Sequence, residues 1–304
     1  MANFAEFVIL IVPTPQEGEL SMGKRYTRTE VLQRLNQEVA AGRPLYTVGV
    51  GTGISAKFCE AGGADILITY PIAKYRMAGH SSMAGYLPLC DSNAITLELG
   101  ERDIFPTLKQ VPLTAGLLGA DPTRDMGRLL DKVIDTGFSG ILNCPTLALV
   151  DGVFRLALEE TGLGWAKEVE MIRLARQKEL FTQAFCSTKE EALAMLEVGC
   201  DLIIAHMGNS VGGTIGSKTA PSLDQAVEKI QVIVDAVKNR SPEALVICHG
   251  GPVAKPNDFA YVHSRVRNLA GFMGGSAGER FPVEAGITEV TRQYKNVKAT
   301  AVAR

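Results

Sequence analysis

The 304-residue chain holds six cysteines, at 59, 90, 144, 186, 200 and 248, and no two of them form a CxxC pair. That excludes a zinc site of the usual spacing and a thioredoxin-type redox motif. Cys144, Cys200 and Cys248 fall in or beside apolar runs and read as small buried hydrophobes, which fits a reducing cytoplasm. Aromatic residues make up 6% of the chain and the net charge is −2. Neither a base-stacking platform nor an electrostatic attraction to nucleic acid or an anionic membrane is indicated. No apolar run approaches the ~20 residues that a membrane-spanning helix needs. The strongest, Phe7–Val12, carries Glu6 before it and Pro13 and Pro15 after it, and lacks the basic region of a signal peptide. Residues 1–24 therefore read as an extension that covers the main domain or a neighbouring subunit. No Pro/Ser-rich linker divides the rest.

What the chain does have is a recurring phrase: a helix end, a glycine, a short apolar strand, then polar residues. It reads GGADILITY at 62–70, GFSGILNCPT at 137–146, GCDLIIAHMG at 199–208 and ALVICHGGP at 244–252. Strands this apolar are buried on both faces, as in parallel sheets covered by helices. Eight such strands alternate with helices, beginning at Leu45, Asp65, Val111, Gly140, Leu180, Asp201, Ala244 and Gly271. Thr27 and Glu30 form a capping box for the helix before the first strand. The order predicts one (β/α)8 TIM barrel over residues 25–304. The rival, a doubly wound open sheet, lacks its signature: Gly49-Val50-Gly51-Thr52-Gly53 is an incomplete dinucleotide fingerprint. Pro71–Asn93, rich in Gly, Ser and Met, reads as a long lid loop after strand two.

Ligands in such barrels sit at the C-terminal strand ends. His206 ends strand six and His249 ends strand seven, so the two imidazoles are expected to face one another as acid and base. Gly250 and Gly251, then Gly274, Gly275 and Ser276, follow strands seven and eight, where backbone amides can approach an anion. Gly51, Tyr70, Arg76, His80, Asp91 and Asn143 join them as candidate substrate contacts; Arg76 can grip a carboxylate or phosphate with both arms, and Asn143 can donate to an oxyanion. In the helix after strand four, Val169, Ile172 and Ala175 look buried, and Glu170 is taken as the glutamate that turns toward the mouth. No strand carries a lysine, which counts against Schiff-base chemistry.

The segments GTGISAKFCEAGGADILITY, YRMAGHSSMAGYLPLCDSNAI, GFSGILNCPTLALVDGVFRLALEETGLGWAKEVEMIRLAR, DLIIAHMGNSVGGTIG and VICHGGPVAKPNDFAYV resemble the phosphoenolpyruvate hydrolase-like family of TIM-barrel enzymes, which also includes the C-terminal half of Tm-1. The resemblance covers roughly residues 27–295. It implies the barrel and a place near the phosphoenolpyruvate mutase and isocitrate lyase barrels. His206, His249, Glu170, Arg76, Asp91 and Asn93 match its motifs. Pro71-Ile72-Ala73-Lys74, His80 and Leu89-Cys90 depart from them, all within the lid. The mutase-like barrels hold Mg²⁺ through acids after strand three and a glutamate ending strand four; strand four here ends in Asn143, so Mg²⁺ is an open possibility and not an assigned cofactor.

The expected activity is that of a lyase or hydrolase acting on a small 2-oxo or 3-oxo acid, or on a phosphorylated acid such as a phosphoenolpyruvate-like compound. Two alternatives stand beside it. One is retro-aldol or retro-Claisen cleavage of a larger hydrophobic carbonyl compound, suited by Ile72, Tyr75, Met77, Met83 and Tyr86 of the lid. The other is a regulatory barrel that binds a ligand without turnover. The same lid residues, with the apolar extension, suggest a homo-oligomer.

Overall fold

The computed structural model describes residues 23–298; the extension and its apolar run lie outside them, apart from Gly23 and Lys24. Eight parallel strands close into a barrel in sequence order: β1 Leu45–Gly49, β2 Ile66–Thr69, β3 Leu113–Leu117, β4 Gly140–Asn143, β5 Phe181–Cys186, β6 Leu202–His206, β7 Leu245–His249 and β8 Gly271–Gly274. The expected fold is observed, with every strand within two residues of its expected start. Each strand is buried along nearly its whole length, as the continuous apolar runs require.

Eleven α-helices are described, and α1 (Arg28–Ala40), α2 (Gly53–Ala61) and α3 (Pro71–Met77) open the series. α1 carries the expected capping box, with the Thr27 amide donating to Glu30 at 2.7 Å. Its Val31 and Leu35 join the cluster of inward-facing strand residues Leu45, Ile66, Phe181, Leu202 and Leu245. These lie at the N-terminal strand ends, so α1 plugs the bottom of the barrel.

The segment expected as a loop is mostly helical. Pro71 sits at the first position of α3, where its missing N–H costs nothing. Ile72, Ala73 and Arg76 are buried beneath it, and a 3-10 turn at Ser82–Tyr86 follows. Tertiary burial of that face overrides the loop-like composition. Then come α4 (Ser92–Leu99), α5 (Met126–Thr136), α6 (Gly152–Glu160), α7 (Trp165–Gln177), α8 (Lys189–Glu197), α9 (Leu223–Arg240), α10 (Pro256–His263) and α11 (Arg280–Lys295). None of these helices is long and apolar enough to cross a membrane.

Candidate active site

The register of β6 on β7 pairs His206 with His249, one at each strand's last position. Their rings lie edge to face with centroids 4.7 Å apart, and Phe185 from β5 packs against both. Backbone partners fix their tautomers. The Gly208 amide donates to Nδ1 of His206 at 3.0 Å, so that ring keeps its proton on Nε2. Nδ1 of His249 lies 2.8 Å from the Met273 carbonyl, which can only accept, so the proton is there and Nε2 carries a lone pair. Burial, with each ring's neighbour adding to it, holds His206 well below its usual range; burial and the Arg76 charge hold His249 at about 4. At neutral pH the pair offers one N–H donor and one base.

Both rings open onto a cavity of about 40 Å³ at the mouth. Arg76, Gly275, Ser276, Asn209 and Ser210 make its polar side, and Ile72, Met83, Tyr86, Leu149 and Cys144 its apolar side. The room suffices for about three water molecules. Tyr70 reaches into it because Gly49 opposite has no side chain: a Cβ there would stand 2.0 Å from the tyrosine oxygen.

Arg76 is buried and fully paired on one edge. Its Nε and Nη2 donate to Glu279 Oε2 at 3.1 and 2.5 Å, and Nη2 also to the Gly49 carbonyl at 2.7 Å. Nη1 faces the cavity side, 3.6 Å from where a Gly275 Cβ would be. Glu279, which the sequence reading missed, is as buried as its partner. Nothing local marks it, since it lies 203 residues from Arg76.

Several expected contacts are elsewhere. Glu170 is exposed and clamps Arg173 at 2.6 Å; the buried glutamate of α7 is Glu168. Glu168 accepts from the Leu147 amide, the Thr146 hydroxyl and the Asn143 side-chain amide at 2.6, 2.8 and 2.6 Å. Burial nevertheless raises its carboxyl to about 7. A signal was present: Met171, Ile172 and Ala175 are the buried stripe of α7, and position 168 lies on that stripe while 170 does not. Asn143 is no oxyanion donor, because its amide serves Glu168 and the Phe185 carbonyl while its oxygen takes the Phe185 N–H at 2.6 Å.

Gly51 donates its amide to Glu279 at 2.6 Å and Gly251 donates to the Gly208 carbonyl at 2.8 Å, so neither is free for an anion. Gly250 (φ +75°) lets the loops after β6 and β7 touch: a Cβ would lie 2.2 Å from the Gly208 oxygen. Gly274 gives way to the Tyr46 hydroxyl. His80 is exposed beyond α3. Asp91 caps α4 and pairs with Arg124. Of the expected contacts, His206, His249, Tyr70, Arg76, Gly275 and Ser276 meet in one cavity.

These donors do not suit a hard divalent cation. Asp121, after β3, is held to about 2 by hydrogen bonds from Thr123, Arg124 and Asn93 that outweigh its partial burial, and the Arg124 guanidinium bridges it to Asp91. Asn143 is spent, and among the described residues no three His, Cys, Asp or Glu side chains converge.

The chain belongs to the phosphoenolpyruvate hydrolase-like family, whose model matches residues 30–297. Over 270 residues, 89% of the chain, it is 46% identical to the ToMV resistance protein Tm-1(GCR237) of Solanum lycopersicum and equally to the ToMV susceptible protein tm-1(GCR26). It spans 36% of the length of each. Among solved structures, the barrel is similar to 2,3-dimethylmalate lyase (TM-score 0.58, 13% identity, 92% of this chain and 91% of that one). It is also similar to phosphonopyruvate hydrolase in complex with oxalate and Mg²⁺ (TM-score 0.55, 15% identity, 87% of each chain).

Proposed function

We propose that this barrel is an acid–base lyase or hydrolase that cleaves a C–C or C–O bond beside the carbonyl of a small oxo acid. The carrying observation is the complementary tautomer pair: a bare Nε2 on His249 next to an Nε2–H on His206, at a cavity in the barrel mouth. His249 takes a proton from the attacking water or from the substrate and returns it to the carbon or oxygen that leaves. His206 donates a hydrogen bond to the oxygen on which charge develops. Arg76 Nη1 and Ser276 hold the carboxylate, and the turn carrying Met83 and Tyr86 shuts out bulk water. Family membership and the lyase and hydrolase among the structural neighbours support the reaction class.

Charge narrows the substrate. Among the described residues Arg76 is the one charged side chain lining the cavity, and Glu279 balances it from behind. With both histidines neutral, a phosphorylated dianion would be buried without countercharge. A substrate with a single carboxylate suits that one guanidinium, its body lying against Ile72, Met83, Leu149 and Phe185 once the turn carrying Met83 and Tyr86 moves to admit it. That apolar wall also favours a second reading, retro-Claisen cleavage of a larger carbonyl compound admitted when the lid turn opens.

The test is a panel of 2-oxo and 3-oxo acids of increasing size, followed by proton NMR. Wild type should consume at least one, and His249→Gln and His206→Gln should each be slower by about 10²–10⁴-fold with the fold intact. Equal turnover by either variant removes that residue from the chemistry.

A further inference from the structure

The glycines around the barrel mouth have two ordinary reasons to be glycine. Gly250 and Gly251 turn the chain at φ +75° and +56°, a region that L side chains rarely adopt. Gly49 and Gly274 make room for tyrosines: a Cβ would stand 2.0 Å from the Tyr70 hydroxyl and 2.5 Å from that of Tyr46. Gly275 has neither reason. Its φ lies outside the left-handed region, so its backbone suits an alanine. The nearest atoms that a Cβ would meet are Cε1 of His249 at 3.0 Å, Nη1 of Arg76 at 3.6 Å and Nε2 of His249 at 3.8 Å. The missing side chain keeps open the space between the base and the guanidinium.

Both walls of that space are fixed. The His249 ring is tied to the Met273 carbonyl at 2.8 Å and packed against Phe185 and His206. Arg76 is tied to Glu279 and to the Gly49 carbonyl. Neither is free to swing aside for an added methyl. The spacing suits a carboxylic acid. A carboxylate oxygen ~2.8 Å from a guanidinium nitrogen sets its carbon about one bond further off, and the same region is in contact distance of Nε2.

We infer that Gly275 is a specificity-determining residue: the space left by its missing Cβ is the seat of the substrate's carboxylate carbon and the carbon bonded to it, between Arg76 and His249. This rests on the acid–base reading above and deepens it. The base then acts close to the carboxylate, and a ligand must present a bare face of those two carbons to the glycine.

Proton NMR on the full chain tests it, since four histidines leave the imidazole Hε1 signals resolvable. Adding pyruvate to wild type should move the His249 signal in a saturable way. Gly275→Ala should keep the wild-type circular dichroism spectrum and need about 10- to 100-fold more pyruvate for the same movement, the effect of one methyl forced into a filled site. If Gly275→Ala fails to fold, a crystal structure of wild type with pyruvate decides: its first two carbons should lie within about 4.5 Å of the Gly275 Cα. Equal affinity in a folded Gly275→Ala, or pyruvate bound away from Gly275, would overturn the seat and leave the acid–base reading to its own turnover test. Wild type that binds no pyruvate overturns the seat as well, and if it also consumes none of the oxo-acid panel the acid–base reading falls with it.

Discussion

Removing either partner of the Arg76–Glu279 pair should be far worse than removing both. The two side chains are 2% and 0% exposed, so truncating one leaves the other as an uncompensated buried charge. Such losses cost about 3–5 kcal/mol each. Arg76→Met should therefore fall in that range, and Glu279→Leu should reach its upper end because it also strips the Gly51 amide of its acceptor. The double variant replaces the pair with apolar groups of similar size. What remains is mainly the orphaned Gly51 N–H, about 1–3 kcal/mol. The expected non-additivity is thus about 3 kcal/mol or more. Urea unfolding reads it directly. With an m-value near ~3 kcal/mol per M, each single variant should lose about 1–1.7 M of midpoint and the double less than about 1 M. A double variant that falls by the sum of the singles would refute the argument that these charges depend on one another. Turnover separates stability from chemistry. The double variant keeps its fold but lacks the Arg76 guanidinium at the cavity, so it should stay inactive.

Other outcomes follow from the same geometry. His249 titrates near 6.5 when unfolded and near 4 when folded. Its contribution to stability is full above about 6.5 and is lost as pH falls toward 4, by about 3 kcal/mol at most. Glu168 runs the other way: with its carboxyl raised from 4.5 to about 7, stability falls as pH rises across that window. Urea midpoints between pH 5 and 7 should therefore rise more steeply with pH in Glu168→Gln than in wild type, and less steeply in His249→Gln; parallel curves would deny both shifts. Gly250→Ala should cost more than about 1–2 kcal/mol by thermal or urea unfolding, because φ is +75° and the new Cβ meets the Gly208 oxygen. EDTA should leave both melting temperature and turnover unchanged, since the donors at the mouth are neutral or already paired; a loss restored by Mg²⁺ would show a site formed from other residues.

The amino-acid sequence by itself determined the barrel. Strands such as LIIAH and LVICH are apolar throughout, and an apolar strand between helices has no stable place except a covered parallel sheet. The same pattern placed His206 and His249 at adjacent strand ends, because consecutive strands of a barrel are neighbours. Local chemistry fixed the Thr27 cap in the same way. Tertiary structure decided the rest. Whether Glu168 or Glu170 turns inward depended on the rotation of α7 against β4 and β5, and whether Asn143 was free depended on what that glutamate needed. Residues 71–86 became helix and turn because the barrel rim buries Ile72, Ala73 and Arg76. The partner of Arg76 came from the residue just before α11, two hundred residues on, where no spacing rule reaches. Periodicity records which face of an element is buried. Which charges then meet across that burial is set by elements that only the closed barrel brings together.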